Sequence, residues 1–118
     1  MNESWYKKKI VLGDGLEVVH EIITEEDGLG FGLAVADIVR SEAHHHEEGM
    51  VETYTLISGS LVVMVDGQDF ILKKPGNTLT ILPGQRHYAR SENGKTPARI
   101  TVLSTPAWRP ENHHLVNG

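Results

Sequence analysis

The sequence predicts an all-β fold, a sandwich or barrel of eight or more short strands. Three observations support this prediction. Apolar and β-branched residues occur in short runs, separated by turns that contain glycine. The runs recur about every ten residues, which is the spacing of strands in sandwiches and barrels. No stretch has the long amphipathic pattern of a surface helix.

The first predicted strands are separated by polar turns. Residues 10–12 lead into the glycine-containing turn 13–15, and residues 16–23 lead into the acidic turn 25–28. Glycine and aspartate favour such turns because they accept backbone conformations that other residues avoid. Residues 31–39 then form a third apolar segment, which is rich in small side chains.

The second half of the chain contains the strongest hairpin signal. Residues 61–65 and 68–72 flank the dipeptide Asp66-Gly67. Aspartate followed by glycine favours a type I′ turn, because glycine accepts positive φ without a Cβ penalty. The other strands predicted in this half are 54–57, 78–82, 87–90 and 98–104. The tail 107–115 is predicted to be irregular.

Composition limits the class of protein. The 118 residues suffice for one domain, and the absence of cysteine excludes disulfides and thiolate-bound metal centres. The net charge of −5 argues against a broad nucleic-acid-binding surface. The charged start has no apolar stretch after it, and no run approaches the roughly 20 apolar residues of a membrane span. We therefore expect a cytoplasmic protein with no nucleic-acid or membrane partner.

Three consecutive histidines, His44 to His46, lie among carboxylates in the middle of the chain. On a strand, alternation would place His44 and His46 on one face and His45 on the other. Two imidazoles spaced in this way can chelate one divalent ion. Glu52 and His87 are the candidates for the remaining ligands, since both lie near the predicted start of a strand. Imidazole with carboxylate suits iron(II), manganese, nickel, zinc or copper.

The spacing of these residues resembles the two motifs of the cupin superfamily, a small jelly-roll β-barrel. His44 and His46 match the chelating pair of the first motif, and Glu52 is followed by six residues and then Gly59. In the second motif, two glycines are eight positions apart and a histidine follows three residues later. Gly76, Gly84 and His87 have this spacing.

The match has departures. Five residues separate His46 from Glu52, one more than the motif allows, so Glu47 and Glu48 are rival candidates for the carboxylate ligand. Glu52 is preferred because its distance to Gly59 is kept, and a longer loop costs little in closure entropy. The remaining departures are Ile38 for the leading glycine, Pro83 directly before Gly84, and Ser91 for asparagine.

The resemblance implies a double-stranded β-helix (jelly-roll) barrel with one divalent transition metal ion per chain, held by His44, His46, Glu52 and His87. It implies a single cupin domain over residues 1–118, with N-terminal strands at 9–24, a core barrel at about 30–104 and a C-terminal tail at 105–118. Cupins often dimerise, and pairing would protect exposed sheet edges, so we expect a homodimer.

The family contains dioxygenases, isomerases, epimerases, decarboxylases and non-enzymatic binders. We expect a metal-dependent enzyme of isomerase, lyase or dioxygenase type, acting on a small oxygen-bearing metabolite such as a sugar, sugar phosphate or carboxylic acid. Two alternatives remain: a non-catalytic small-ligand sensor, and a barrel whose metal is purely structural.

Tyr54 is the candidate catalytic residue. It has the same parity as Glu52 and should face the barrel interior, where it could orient a substrate or fill the core through its ring. Near the C-terminus, His113 and His114 could cap the barrel mouth near Trp108 or belong to a frayed tail.

Overall fold

The computed structural model describes residues 4–41, 44–46, 49–109 and 113–115; the side chains of residues 44–46 and 113 lie outside the description. Its regular elements are eleven strands and two short 3₁₀ turns, Gly13–Gly15 and Glu25–Asp27. The strands are Lys8–Leu12 (β1), Glu17–Ile23 (β2), Gly32–Ile38 (β3), His44–His46 (β4), Val51–Ser58 (β5), Leu61–Val65 (β6), Gln68–Leu72 (β7), Thr78–Ile81 (β8), His87–Ser91 (β9), Ala98–Thr105 (β10) and His113–Leu115 (β11).

The strands form two antiparallel sheets that pack as a jelly roll. The larger sheet has the order β1-β2-β3-β10-β5-β8, and the smaller has the order β11-β4-β9-β6-β7. Strands distant in sequence are therefore neighbours, as β3 and β10 are. The all-β prediction and the jelly-roll architecture are confirmed.

The core lies between the sheets and follows from alternation along the strands. On β5, Glu52, Tyr54 and Leu56 are buried, whereas the residues between them are half-buried. A single cluster of buried side chains joins both sheets, and Leu61, Val63 and Ile100 within it are completely inaccessible to solvent. Each such aliphatic side chain stabilises the fold by about 2 kcal/mol through burial.

The predicted hairpin is confirmed. β6 and β7 pair with Leu61 opposite Leu72 and Val65 opposite Gln68. Asp66 and Gly67 between them both have positive φ, +49° and +82°, as a type I′ turn requires.

The N-terminal segment covers part of the outer face of the larger sheet. The rings of Trp5 and Tyr6 lie 5.0 and 4.8 Å from the ring of His20 on β2. His20 is buried, and its Nδ1 has no hydrogen-bond partner among the described residues. Arg99 on β10 lies 5.8 Å from the Trp5 ring and forms two hydrogen bonds, of 2.7 and 2.9 Å, to Asp37 on β3.

The tail differs from the prediction at one point. Residues His113–Leu115 form β11, which pairs with β4 and extends the smaller sheet, so this part of the tail is not irregular. The prediction was wrong here because three residues between polar neighbours carry no strand signal of their own. Within the part of the chain that the structure describes, no helix is long and apolar enough to cross a membrane.

Candidate metal centre and cavity

Two of the proposed ligands, Glu52 and His87, meet inside the barrel. Glu52 faces inward from β5 in the larger sheet, and His87 is the first residue of β9 in the smaller sheet. Both are buried, with 6% and 1% of their surface exposed. His87 Nε2 lies 3.2 Å from Glu52 Oε1. The two sheets thus bring together residues that are 35 positions apart in the chain.

The second nitrogen of His87 defines the tautomer of the ring. Nδ1 lies 2.8 Å from the carbonyl oxygen of Gln85, which can only accept a hydrogen bond, so Nδ1 carries a proton. In the neutral ring Nε2 then presents a lone pair toward a carboxylate oxygen. Two acceptors at 3.2 Å stabilise each other only when a cation or a second proton lies between them.

This arrangement fits a metal ligand. Histidines that bind metals usually donate their other ring N–H to a backbone carbonyl or carboxylate, which fixes the ring and the tautomer. His87 makes this contact with Gln85, and its Nε2 points at an oxygen ligand of the kind that divalent transition metals accept.

The histidine run lies beside His87 in the backbone. β4 pairs with β9, and the register places His44 opposite His87. The side chains of His44 and His46 lie outside the description, as do Glu47 and Glu48. Among the side chains that the structure describes, no group of three His, Asp or Glu residues is arranged to hold a metal ion. The four-ligand set therefore stays a prediction, and the described pair is Glu52 with His87.

A cavity of about 290 Å³ lies beside this pair, against the inner face of the larger sheet. Its floor consists of small and medium side chains, among them Ala34 and Ala36 on β3 and Val102 on β10. The small residues of the apolar segment 31–39 create the space, because larger side chains at these inward positions would fill it. Glu52 and Tyr54 both line the cavity, so the Glu52 end of the buried pair borders it.

Tyr54 faces inward, as the alternation predicts. It is 6% exposed, and its ring lies 6.2 Å from the ring of His87. Its hydroxyl forms no hydrogen bond with any residue that the structure describes. Burial raises the pKa of Tyr54 well above its usual value of 10.0, and the charges of Glu52 and Glu17 raise it further. The hydroxyl is therefore protonated at neutral pH and can donate a hydrogen bond to a molecule in the cavity.

The sequence motifs did not identify two carboxylates of the cavity. Glu17 and Glu21 on β2 both line it. Their signal was present, since Glu17, Val19, Glu21 and Ile23 alternate along residues 16–23. The valines and isoleucines of this segment give the main strand signal, so its pattern does not reveal that the two glutamates share a face.

The C-terminal aromatic and histidine residues have separate positions. Trp108 is half-buried and lines the cavity. His114 on β11 is half-buried and lies opposite His45 in the register, and His113 lies opposite His46. The side chain of His113 lies outside the description, so the capping alternative for these two histidines is not tested.

Residues 38–104 match the family model described as Cupin domain. The chain belongs to the cupin family. The matched range contains Glu52, Tyr54 and His87, the three described residues around which the site was predicted. It also contains the inward-facing residues of β5 and β10 that form one wall of the cavity.

Individual relatives are more distant. The chain is 25% identical to L-ectoine synthase of Vibrio campbellii over 114 residues, which cover 96% of this chain and 88% of that protein. The solved structure of ectoine synthase from P. lautus superposes with a TM-score of 0.69 at 18% identity, covering 92% of this chain and 81% of that one. Pac13 of Streptomyces, a nucleoside dehydratase, superposes with a TM-score of 0.74 at 11% identity over 98% of this chain and 92% of its own. At these identities the solved structures are informative about the fold alone.

Proposed function

We propose that the protein is a metal-dependent enzyme of lyase type that acts on a small oxygen-bearing metabolite. The observation that carries the proposal is the buried contact between His87 and Glu52, in which two acceptors face each other beside a cavity. A divalent ion between His87 Nε2 and Glu52 Oε1 would resolve this contact; a second proton on the ring, which would make a buried ion pair, is the alternative that the metal-loading experiment below distinguishes. Burying both groups without a cation would be costly.

The proposed metal ligands are Glu52 and His87, completed by His44 and His46. Residues directly opposite in an antiparallel pair have Cβ atoms about 5 Å apart, and His44 holds this position relative to His87. A divalent ion bound here would supply Lewis-acid polarisation of a substrate oxygen.

Tyr54 is the proposed acid. Its pKa is raised, so its Oη retains a proton at neutral pH, and this hydroxyl has no partner among the described residues that would compete for it. A substrate hydroxyl or carbonyl oxygen in the cavity would accept a hydrogen bond from Oη. In an elimination, a carboxylate that lines the cavity would accept the proton from the adjacent carbon, and the same hydroxyl would donate its proton to the departing oxygen, so that water leaves and a double bond forms.

We prefer a lyase over the isomerase and dioxygenase alternatives because the Tyr54 hydroxyl could protonate a departing oxygen. The relatives add that enzymes, among them a dehydratase, occur on this fold. A dehydratase removes water from its substrate, and Pac13, which carries that name, shares the fold over nearly the whole chain. L-ectoine synthase, also an enzyme, matches across 96% of this chain. These similarities support enzymatic function, while the substrate of this protein has to be found by experiment.

The metal assignment is tested by comparing two single variants. The protein is loaded separately with iron(II), manganese, nickel, zinc and copper, and bound metal is measured by mass spectrometry after gel filtration. We expect about one ion per chain in the wild type. Glu52→Gln should reduce occupancy at least tenfold, because it removes a charged ligand, and Glu47→Gln should leave occupancy unchanged. The reverse result would move the carboxylate ligand into the loop that precedes β5.

Catalysis is tested with Tyr54→Phe, which keeps the ring and removes only the hydroxyl. The loaded protein is incubated with small hydroxy acids, sugars and nucleosides, and loss of water is followed by mass spectrometry. The variant should bind metal as the wild type does and lose at least 90% of turnover. Ligand-dependent stabilisation without product would indicate a binding module, and a large loss of thermal stability on chelation without any ligand effect would indicate a structural ion.

We also propose a homodimer formed through β1. This strand is the edge of the larger sheet, and Val11 and Leu12 on it are 56% and 40% exposed. An exposed apolar edge is unfavourable in water, and pairing with a second copy would cover it. Light scattering during gel filtration should give twice the chain mass of 13.1 kDa, and Val11→Lys should shift the protein toward the monomer. A monomeric wild type would contradict this.

A further inference from the structure

The three-residue strand β4, which carries the proposed ligands His44 and His46, is held differently at its two ends. Just before the strand, the chain is fixed to β9. The backbone N–H of Ser41 donates to the carbonyl oxygen of Ala89 at 2.8 Å, and the Ser41 hydroxyl accepts a hydrogen bond of 2.8 Å from the N–H of Ala89. His44 continues this pairing, since it lies opposite His87. The start of β4 is therefore anchored on β9.

The far end of β4 has a different neighbour. In the described register, β4 and β9 have no pair beyond the one at His44. His45 lies opposite His114, and His46 lies opposite His113, both on β11. The backbone position of the second proposed ligand, His46, thus depends on a strand from the C-terminal end of the chain.

A chelating pair on a strand requires that both residues are fixed. Alternation brings His44 and His46 to the same face only while the strand is extended. Every residue that has to be ordered at the moment of metal binding lowers the affinity, because its conformational entropy is lost in that step. A short strand at a sheet edge opens easily, since it makes few backbone hydrogen bonds. Pairing with β11 instead makes β4 an interior strand, in the order β11-β4-β9.

We propose that β11 is a positioning element of the metal centre. Its backbone holds His46 in the extended register in which His44 and His46 can bind the same ion, and binding of the ion in turn stabilises the pairing of β11. This inference rests on the proposed function for the ligand set and extends it by assigning a role to the C-terminal histidine segment. The role belongs to the backbone of residues 113–115, so their side chains should be replaceable.

The exposure of Leu115 supports a role for pairing rather than packing. The side chain of Leu115 is 58% exposed, although the residue lies opposite His44. An apolar side chain that stays in solvent gains little from burial. At this end of β11, the described interaction with β4 is therefore the pairing of the two backbones.

Proline and alanine at the same positions separate the backbone from the side chain. In an edge strand, successive N–H groups point alternately toward the neighbouring strand and toward solvent. Because proline has no N–H, either His114→Pro or Leu115→Pro removes a hydrogen bond to β4. His114→Ala and Leu115→Ala keep the N–H and serve as matched controls. All four variants are full-length chains.

The first measurement needs no metal. Amide hydrogen exchange of the metal-free protein is followed by NMR at His45 and His46, with the amides of β9 as the internal reference. The proline that breaks the pairing should speed exchange at least tenfold at whichever of these two amides faces β11. It should leave exchange in β9 and the thermal midpoint of the barrel nearly unchanged, and the alanine variants should match the wild type. Unchanged exchange at both amides in both proline variants would overturn the inference.

Zinc then tests the link to the metal centre. By competition with a chromophoric chelator at pH 7.5, the proline variant that breaks the pairing should bind zinc at least tenfold more weakly than the alanine variant at the same position. In the wild type, zinc should slow exchange at residues 113–115 by the same factor, because coupling between two equilibria is reciprocal. β7, the opposite edge of the smaller sheet, pairs with β6 and should show no change.

A side-chain effect would contradict the backbone role. His113→Ala should leave zinc affinity within twofold of the wild type. A loss of tenfold or more in this variant would make the His113 imidazole, rather than the backbone of β11, the source of the effect, and would refute the inference.

Failure of the inference and failure of the proposed function give different results. Stoichiometric zinc binding with equal affinity in the proline and alanine variants would refute the positioning role alone. A wild type that binds none of the metals, but whose β4 amides exchange faster when β11 is broken, would refute the metal-dependent enzyme. The hold of β11 on β4 would then stand without the link to a metal.

Discussion

Gly59, a residue of the first sequence motif, is constrained by both its backbone and its neighbours. Its φ is +79°, and a Cβ added there would lie 3.0 Å from the Cα of Ala98, a backbone atom that cannot move aside easily. Gly84, from the second motif, has nearly the same φ of +80°, but a Cβ added there would meet no atom of a more distant residue within 4 Å. Alanine substitutions at these two glycines therefore separate the free-energy cost of the left-handed backbone from the cost of steric contact with β10.

We expect Gly59→Ala to lower the free energy of unfolding by about 2 kcal/mol or more, and Gly84→Ala by about 1 kcal/mol, since a non-glycine residue in the left-handed region costs about 1–2 kcal/mol before any clash. Urea denaturation of the metal-free variants measures both. Equal losses would mean that β10 shifts to accommodate the methyl group without cost.

At the scale of strands, the predictable features were those set by local chemistry. Asp66-Gly67 encodes its turn within two residues, and alternation along β5 correctly placed Glu52 and Tyr54 on the inner face. β11 was missed because its three residues become a strand only by pairing with β4, a contact that no local pattern encodes. The same holds for the pairing of β3 with β10, which depends on the closure of the whole sheet.

The pairing of β3 with β10 carries an ion pair that should make stability depend on pH. Arg99 holds the pKa of Asp37 below its usual 3.8, mainly through the hydrogen bonds between them. A carboxyl group whose pKa is lower in the folded than in the unfolded protein stabilises the fold at pH values above its unfolded pKa. This stabilisation is lost as the pH falls through the pKa of the folded state.

Asp37→Asn should therefore lower the free energy of unfolding by about 1 kcal/mol at pH 7, the upper end for a partly exposed pair with two-bond geometry. The difference from wild type should shrink as the pH falls from about 4 to 2. Asp69→Asn, an exposed carboxylate on β7, serves as the control and should have little effect at either pH. A difference that persists unchanged at low pH would assign the loss to packing.

At the scale of the molecule, the barrel brings the site together from distant parts of the chain. The spacing of the motif residues predicted Glu52 and His87 as ligands. The structure places the two side chains 3.2 Å apart, and their binding of a metal stays a prediction. The sequence spacing could not predict that Glu17 and Glu21 line a cavity. An alternating strand can face a filled core or an open cavity, and the side chains opposite decide which. Here Ala34 and Ala36 leave the space, and that consequence emerges only from the assembled sheet.

The proposed ligand set predicts how metal occupancy depends on pH. Histidines bind metal as neutral imidazole, so protons compete with the ion as the pH falls through the usual imidazole pKa of about 6.5. With three histidine ligands, the apparent dissociation constant should rise by up to about a thousandfold for each pH unit well below that value, since each ligand must lose a proton. Competition with a chromophoric chelator between pH 7.5 and 5 measures this dissociation constant.

His87→Gln should flatten the pH dependence of metal binding. His20→Gln, which changes a buried histidine on the opposite face of the larger sheet, should not. An affinity independent of pH across this range would rule out histidine ligation, and with it the assignment of His44, His46 and His87.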